Sequence, residues 1–334
     1  MVDYDSEVPQ SNATTPDRPR RGRRAVQLVK VALLVAVLAF AAAFVVREWD
    51  AIVAALSRLR WEMLVGAFVF ALISLMTSVV AWRAILAGLG SRLPILATGR
   101  VFFLGQLGKY LPGGVWPVVA QAELSREYGV PRSRSASTSL VHMLLTLVVG
   151  IVVATVTLSL VSGAVLSEYW WLSLIGIAGA GLLAPPAFNR LIALAFRLIR
   201  RPRPEPVGAR DLAVACLWVT ATWVALGTHM WLLVRALAPE APDTWLIGTG
   251  AFALAWVAGF VVVFLPAGAG AREAALALAL SPVMGPADAV ALALISRVLL
   301  LVADFAMAGV AVLAEKRRGR WVDDLDAVTN AGAN

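Results

Sequence analysis

The sequence holds one cysteine, Cys216, inside an apolar run, and two histidines, His142 and His229, in separate helical stretches. One cysteine excludes disulfides and thiolate metal clusters within the chain. A histidine metal site is not expected either, nor is any cofactor. Charge is scarce as well: Asp, Glu, Lys and Arg make up 15% of the 334 residues, and 60% are hydrophobic. A soluble domain needs more polar surface than that, so the composition puts the chain in a membrane. No Walker P-loop occurs, which excludes an ATP-driven motor. Neither a G-x-S-x-G elbow nor an H-E-x-x-H pair is present, so hydrolase and metalloprotease chemistry is not expected. Asp323-Asp324 lies in the tail and does not read as a metal site for sugar transfer.

What charge there is leans positive. The net charge is +8, mostly arginine between apolar runs. The positive-inside rule explains that excess, with attraction to anionic headgroups as a second effect. No basic domain interleaved with aromatics exists, so nucleic acid is not an expected partner.

Residues 1–24 are polar, rich in proline and arginine, and read as a disordered cytoplasmic segment. Val26–Val46 reads as an uncleaved first span, although Ala41-Ala42-Ala43 resembles a signal cleavage site. Further spans are expected at Met63–Leu89, Ser137–Val161, from Tyr169-Trp170-Trp171 to near Phe188, Leu212–Leu237, Trp245–Leu265 and Asp288–Leu313. Leu191–Ile199 reads as an amphipathic continuation at the membrane surface, and residues 315–334 as a cytoplasmic tail. The tryptophans, among them Trp116, Trp170, Trp171, Trp231 and Trp245, read mostly as interfacial anchors.

Two stretches break the apolar pattern. Gly105-Gln106-Leu107-Gly108-Lys109-Tyr110-Leu111-Pro112-Gly113-Gly114 carries a lysine and a helix-stopping Pro-Gly-Gly where a span should be continuous. A full crossing here would put the Arg126/Arg132/Arg134 loop and the Arg190–Arg210 loop outside. A re-entrant hairpin keeps both inside, which the arginine bias favours. Phe264-Leu265-Pro266-Ala267-Gly268-Ala269-Gly270-Ala271-Arg272-Glu273 echoes it downstream. Ala271–Leu280 is read as a short eighth crossing that keeps the basic tail inside. Paired broken segments in two halves point to an internal repeat and to a transporter substrate site. The expectation is an all-α polytopic membrane protein with about seven or eight transmembrane helices and broken or re-entrant segments near 99–118 and 265–282. Residues 25–314 then form one membrane domain.

A charge at bilayer depth costs at least ~2.5–3.5 kcal/mol and needs a partner or a cavity. Lys109, beside Tyr110, reads either as a contact for a lipid phosphate or as a snorkelling side chain. Backbone N–H groups around Pro112, Gly113 and Gly114 add donors at the tip. Arg272 and Glu273 read either as an oriented anion contact or as a mutual pair. Arg297 and Asp304 are seven residues apart and share a helix face. They either line the same polar site or pair with Lys109, Glu123 or Glu273. Arg100, Glu123 and His142 are secondary candidates. The first two also fit solvated loop charges, and His142 and His229 fit hydrogen-bonded helix contacts.

The run Gly-Gln-Leu-Gly-Lys-Tyr-Leu-Pro-Gly-Gly-Val-Trp at 105–116, with Tyr128-Gly129-Val130, resembles the lysylphosphatidylglycerol synthase transmembrane (flippase-like) family. Leu265-Pro266-Ala267-Gly268-Ala269-Gly270-Ala271-Arg272-Glu273 is similar to its second signature. The resemblance implies the lipid-translocating part alone, without the soluble aminoacyltransferase domain. It implies a lipid flippase or transporter of a bacterial cytoplasmic membrane, acting on an anionic phospholipid or a polyprenyl-phosphate-linked lipid. A membrane transferase using Glu123 or Glu273, or a non-catalytic partner of an envelope enzyme, stays open, as does a homo-oligomer.

Overall fold

The structure, a computed structural model, describes residues 60–111, 114–161, 170–240, 244–261, 271–281 and 283–331. The span expected at Val26–Val46 and the break at 264–270 lie outside them, as do Pro112 and Gly113. Ten α-helices account for nearly all of the described residues. They are α1 (Trp61–Gly88), α2 (Ile95–Gln106), α3 (Trp116–Leu124), α4 (Arg132–Val161) and α5 (Trp170–Leu182), then α6 (Pro185–Leu198), α7 (Ala209–Leu237), α8 (Thr244–Val261), α9 (Ala271–Leu280) and α10 (Pro286–Ala331). Short 3₁₀ turns at Leu107–Tyr110 and Ser125–Tyr128 extend α2 and α3.

Among the described residues, four helices are long and apolar enough to cross a membrane: α1, α4, α7 and the Asp288–Lys316 part of α10. The α5–α6 pair makes a fifth if it counts as one span, but it bends by 91°. Pro185-Pro186 opens α6, and the preceding Ala184 is extended, as residues before proline prefer. The expected fourth span therefore stops short of Phe188. Phe188, Ile192 and Phe196 bury one face of α6, while Leu194 and Leu198 stay exposed. α9 has 10 residues. At ~1.5 Å per residue it covers about half of a ~30 Å hydrocarbon core, so it does not cross unaided. The last helix does not end with its apolar part; α10 continues for 46 residues through the expected tail.

The packing is duplicated. α1 packs on α2, α4 and α10; α7 packs correspondingly on α8, α10 and α4. α3 packs on α2 and α4, and α9 on α8 and α10. α2 meets α10 as α8 meets α4. The unit α1–α4 thus recurs as α7–α10, with α5 and α6 as the connection. α1 and α7 form the most extensive interface and run antiparallel, since Gly66 meets Leu232, Thr77 meets Thr222 and Gly88 meets Asp211. The Thr77 and Thr222 hydroxyls are 2.8 Å apart near the middle. Trp82 and Trp223 are fully buried, so these two tryptophans are core residues rather than interfacial anchors.

α2 and α3 form an antiparallel helical hairpin. A Cβ on Gly105 would lie 2.2 Å from Gln121 Cγ, and one on Gly108 would lie 2.8 Å from the backbone of Trp116 and Pro117. Only glycine allows the arms so close. Gly114 takes φ +63° at the reversal, a left-handed conformation glycine adopts without strain. The arms have 12 and 9 residues. Each is well short of the ~20 residues a spanning helix needs. The α1 C-terminus, α2 N-terminus, α4 N-terminus, α7 N-terminus and Glu315 of α10 gather at one end of the molecule. The contacts Gly88–Asp211, Arg134–Gly90 and Arg100–Glu315 fix this. That end carries Arg83, Arg92, Arg126, Arg132 and Arg210. The hairpin starts from it and reverses before α3, with Gly114 in the left-handed conformation.

Candidate functional site

The hairpin tip meets α10. Lys109 Nζ lies 2.6 Å from Asp304 Oδ2, and the Tyr110 hydroxyl donates to the same oxygen at 2.5 Å. The Tyr110 ring stacks on Phe305 at 6.1 Å, and the Lys109 ammonium lies 5.5 Å from the Tyr110 ring centre. The Asp304 side chain is 2% exposed and that of Lys109 37%. A buried carboxylate is thus held by an ammonium that still reaches the surroundings. Of the pairings open in the sequence, Asp304 with Lys109 is formed. The local chain explains the placement. α2 gives way to a 3₁₀ turn at Leu107, which carries Lys109 and Tyr110 to the end of the arm before Leu111 turns extended ahead of Pro112.

Two more cations approach. Arg272 of α9 and Arg297 of α10 both lie close enough to Tyr110 to act on its hydroxyl electrostatically. The Arg272 guanidinium sits 4.7 Å from the Phe252 ring centre, and Phe252 also packs edge-on against His229 at 6.1 Å. His229 Nδ1 lies 2.8 Å from the Ala67 carbonyl, so it carries the proton, and Nε2, 2.9 Å from Ser296 Oγ, accepts from that hydroxyl. His229 thereby joins α1, α7 and α10 next to Arg272. Lys109 and Tyr110 thus hold the Asp304 carboxylate directly, with Arg272 and Arg297 within electrostatic reach of Tyr110. The side chain of Glu273 lies outside the described residues, as do Pro112 and Gly113.

The secondary candidates lie elsewhere. Glu123 is exposed at the basic end, where Arg132 and Arg126 both bond it at 2.8 Å. The Arg132 hydrogen bonds, then those of Arg126, hold its carboxyl below the usual carboxylate range. Arg100 bonds Glu127, Glu315 at 2.8 Å and the Tyr128 hydroxyl at 3.1 Å, and Tyr128 donates to Glu315. His142 is a core contact, 3.3 Å from Ser78 Oγ and edge-on to Phe102. No group of three or more His, Cys, Asp or Glu that could hold a metal occurs among the described residues.

Two features escaped the sequence reading. A polar seam joins the hairpin to α4 and α1: Ser139 donates to Gln121 Oε1, Ser125 and Ser135 hydroxyls are 2.8 Å apart, and Trp82 Nε1 donates to Ser139 at 3.3 Å. Its signal was Gln121 in an apolar arm opposite Ser135 and Ser139, one helical turn apart. The Arg100–Tyr128–Glu315 cluster was the other. Glu315 gave no signal because it reads as the start of a tail.

Residues 27–308 match the family model of the lysylphosphatidylglycerol synthase TM region. The chain belongs to that family. No curated protein matches it.

Proposed function

We propose that this member of the lysylphosphatidylglycerol synthase TM family moves a lipid with an anionic headgroup across the bacterial cytoplasmic membrane, with Lys109, Tyr110, Arg272 and Arg297 engaging the phosphate. The substrate is a phospholipid or a polyprenyl-phosphate-linked lipid. The observation that carries the reading is the Lys109 ammonium and Tyr110 hydroxyl, at the end of a broken helix, held on the buried Asp304 carboxylate. An anion entering there takes the place of Asp304 as partner of Lys109, so binding is linked to release of the hairpin tip from α10. Acyl or prenyl chains stay in the surrounding lipid.

The duplicated, antiparallel packing supports a transport role. In this reading the basic end faces the cytoplasm, as the positive-inside rule requires. The first hairpin enters from that side and α8–α9 from the other. Inverted repeats that each carry a broken segment provide two related conformations, open to either side. The tail beyond Glu315 then lies on the cytoplasmic side. With no nucleotide motif in the sequence, movement is downhill or coupled to an ion or proton, for which Asp304 is a buried carboxylate at the site.

The test is reconstitution in liposomes. The wild-type chain is expected to move a fluorescent phosphatidylglycerol between leaflets. The double variant Lys109→Ala/Asp304→Ala removes both charges of the pair and avoids the lone buried carboxylate that Lys109→Ala would leave, so it is expected to fold and to lose translocation. Wild-type rates from that variant would place the site elsewhere. A chemically altered lipid recovered from the wild-type liposomes would point to a transferase instead.

A further inference from the structure

A second polar feature lies at the basic end, apart from the site at the hairpin tip. Arg83, Arg92, Arg210 and Asp211 line a cavity of about 550 Å³ between the end of α1 and the start of α7. Its remaining wall is apolar: Val80, Ala84, Ala87 and Val214. Arg83 is fixed there by a 2.9 Å hydrogen bond from Nε to the Leu93 carbonyl. α7 opens at Gly208 with no side-chain cap, so its first N–H groups add donors at the same place. Three guanidinium groups outweigh the one carboxylate.

The surfaces that lead away from the cavity say what the anion is attached to. On α1, Ile73, Met76 and Val80 follow one face toward it, and Ile73 and Met76 are each 40% exposed. On α7, Val214, Leu217 and Val224 follow one face away from it and are also exposed. A free phosphate needs no such apolar track. A lipid does: its acyl chains lie along the two stripes while its phosphate reaches the arginines. We propose that this cavity is a binding site for an anionic phospholipid, held at the α1–α7 interface that joins the two repeats. Arg92 and Arg210 supply most of the charge, and Arg83 is held in place by its backbone bond. The site is separate from the translocation site and does not depend on it.

Binding of individual lipids to the purified full chain, followed by native mass spectrometry in detergent, tests this. Dioleoylphosphatidylglycerol is expected to stay bound under conditions that strip dioleoylphosphatidylcholine. Each arginine near a lipid surface contributes enough that Arg92→Gln/Arg210→Gln should weaken phosphatidylglycerol binding on the order of 20-fold. Arg197→Gln/Arg203→Gln, which removes two exposed arginines outside the cavity, should change it little. Arg92→Lys/Arg210→Lys keeps the charge and should retain most of the binding, which separates a lost site from a damaged fold. Equal loss in the Arg197/Arg203 variant would show a general surface-charge effect and overturn the site. Equal retention of phosphatidylcholine would do the same. Displacement of the lipid by millimolar inorganic phosphate would show that the cavity takes free phosphate, not a lipid.

Discussion

The α2–α10 and α8–α4 interfaces hold equivalent places in the two repeats, yet they are made of different chemistry. α2 and its 3₁₀ extension meet α10 through charge: Lys109 and Tyr110 on Asp304 at the tip, Arg100 on Glu315 at the base. α8 meets α4 through closeness. A Cβ on Gly250 would lie 2.6 Å from Thr157 Oγ1 and 2.7 Å from Leu158 Cγ. Small residues that let helix backbones approach are a usual means of packing inside a membrane, where burial of apolar surface gives no driving force between helices. Such a contact has one arrangement and nothing to exchange. A buried ion pair contributes little net stability, because desolvation offsets most of its attraction, but its partners can be exchanged for another charge. Between these two interfaces the scaffold is duplicated but the described contacts differ in chemistry, which is why we place transport at the charged one.

Breaking the charged interface should therefore depend on which charges remain. Losing one partner of a buried pair typically costs about 3–5 kcal/mol, and the partial exposure of Lys109 argues for the lower end. Lys109→Ala is expected to destabilise the purified protein by about 3 kcal/mol, because Asp304 stays buried without its cation. Asp304→Ala should cost less, since Lys109 can reach water or headgroups. The double variant should lie close to Asp304→Ala alone, giving a coupling energy of ~3 kcal/mol, at the upper end of the range measured for contacting pairs. Denaturation in detergent over the four-protein cycle measures it. Additive losses would mean the pair is incidental. The apolar interface should respond to volume instead. Gly250→Ala must push Leu158 or Thr157 aside, which costs about 1–3 kcal/mol as overpacking usually does. Neither change of partner nor salt should relieve it, and a neutral result by the same assay would mean the two helices can separate freely.

Much of this contrast was visible in the chain before folding, and the reasons are local. A lysine followed by Pro-Gly-Gly inside an apolar stretch is a conflict between solvent preference and helix continuity, and such conflicts mark sites. Asp304 was visible for the same reason, as a carboxylate in a long apolar helix. That Asp304 would meet Lys109 depends on α2 crossing to the other repeat, which no short-range pattern encodes. The α1–α7 core, the Gly105 and Gly108 close approaches and the Gln121 seam have the same origin. Their residues are ordinary for membrane helices, and only long-range packing gives them meaning. One boundary differs for a local reason: apolar composition continues past Leu182, and the Pro185-Pro186 bend cuts the expected fourth span short.

The two ends of the charged interface offer the finest test. Arg100, Tyr128 and Glu315 repeat at the base what Lys109, Tyr110 and Asp304 do at the tip: a cation and a tyrosine on one carboxylate. The carboxylates differ in burial, with Glu315 33% exposed against 2% for Asp304. Exposed pairs are worth about 0–1 kcal/mol and are screened by salt. Glu127 also remains as a partner for Arg100 when Glu315 is lost. Glu315→Gln is therefore expected to cost less than about 1 kcal/mol in low salt, and the cost should shrink in 1 M salt, where the Debye length falls to ~3 Å. The effect of Lys109→Ala should persist in the same salt, since ions screen a buried carboxylate poorly. If both variants lose their effects equally with salt, the tip is as wet as the base. Asp304 is then not held by Lys109 alone, and a headgroup needs no release of the hairpin tip to reach it.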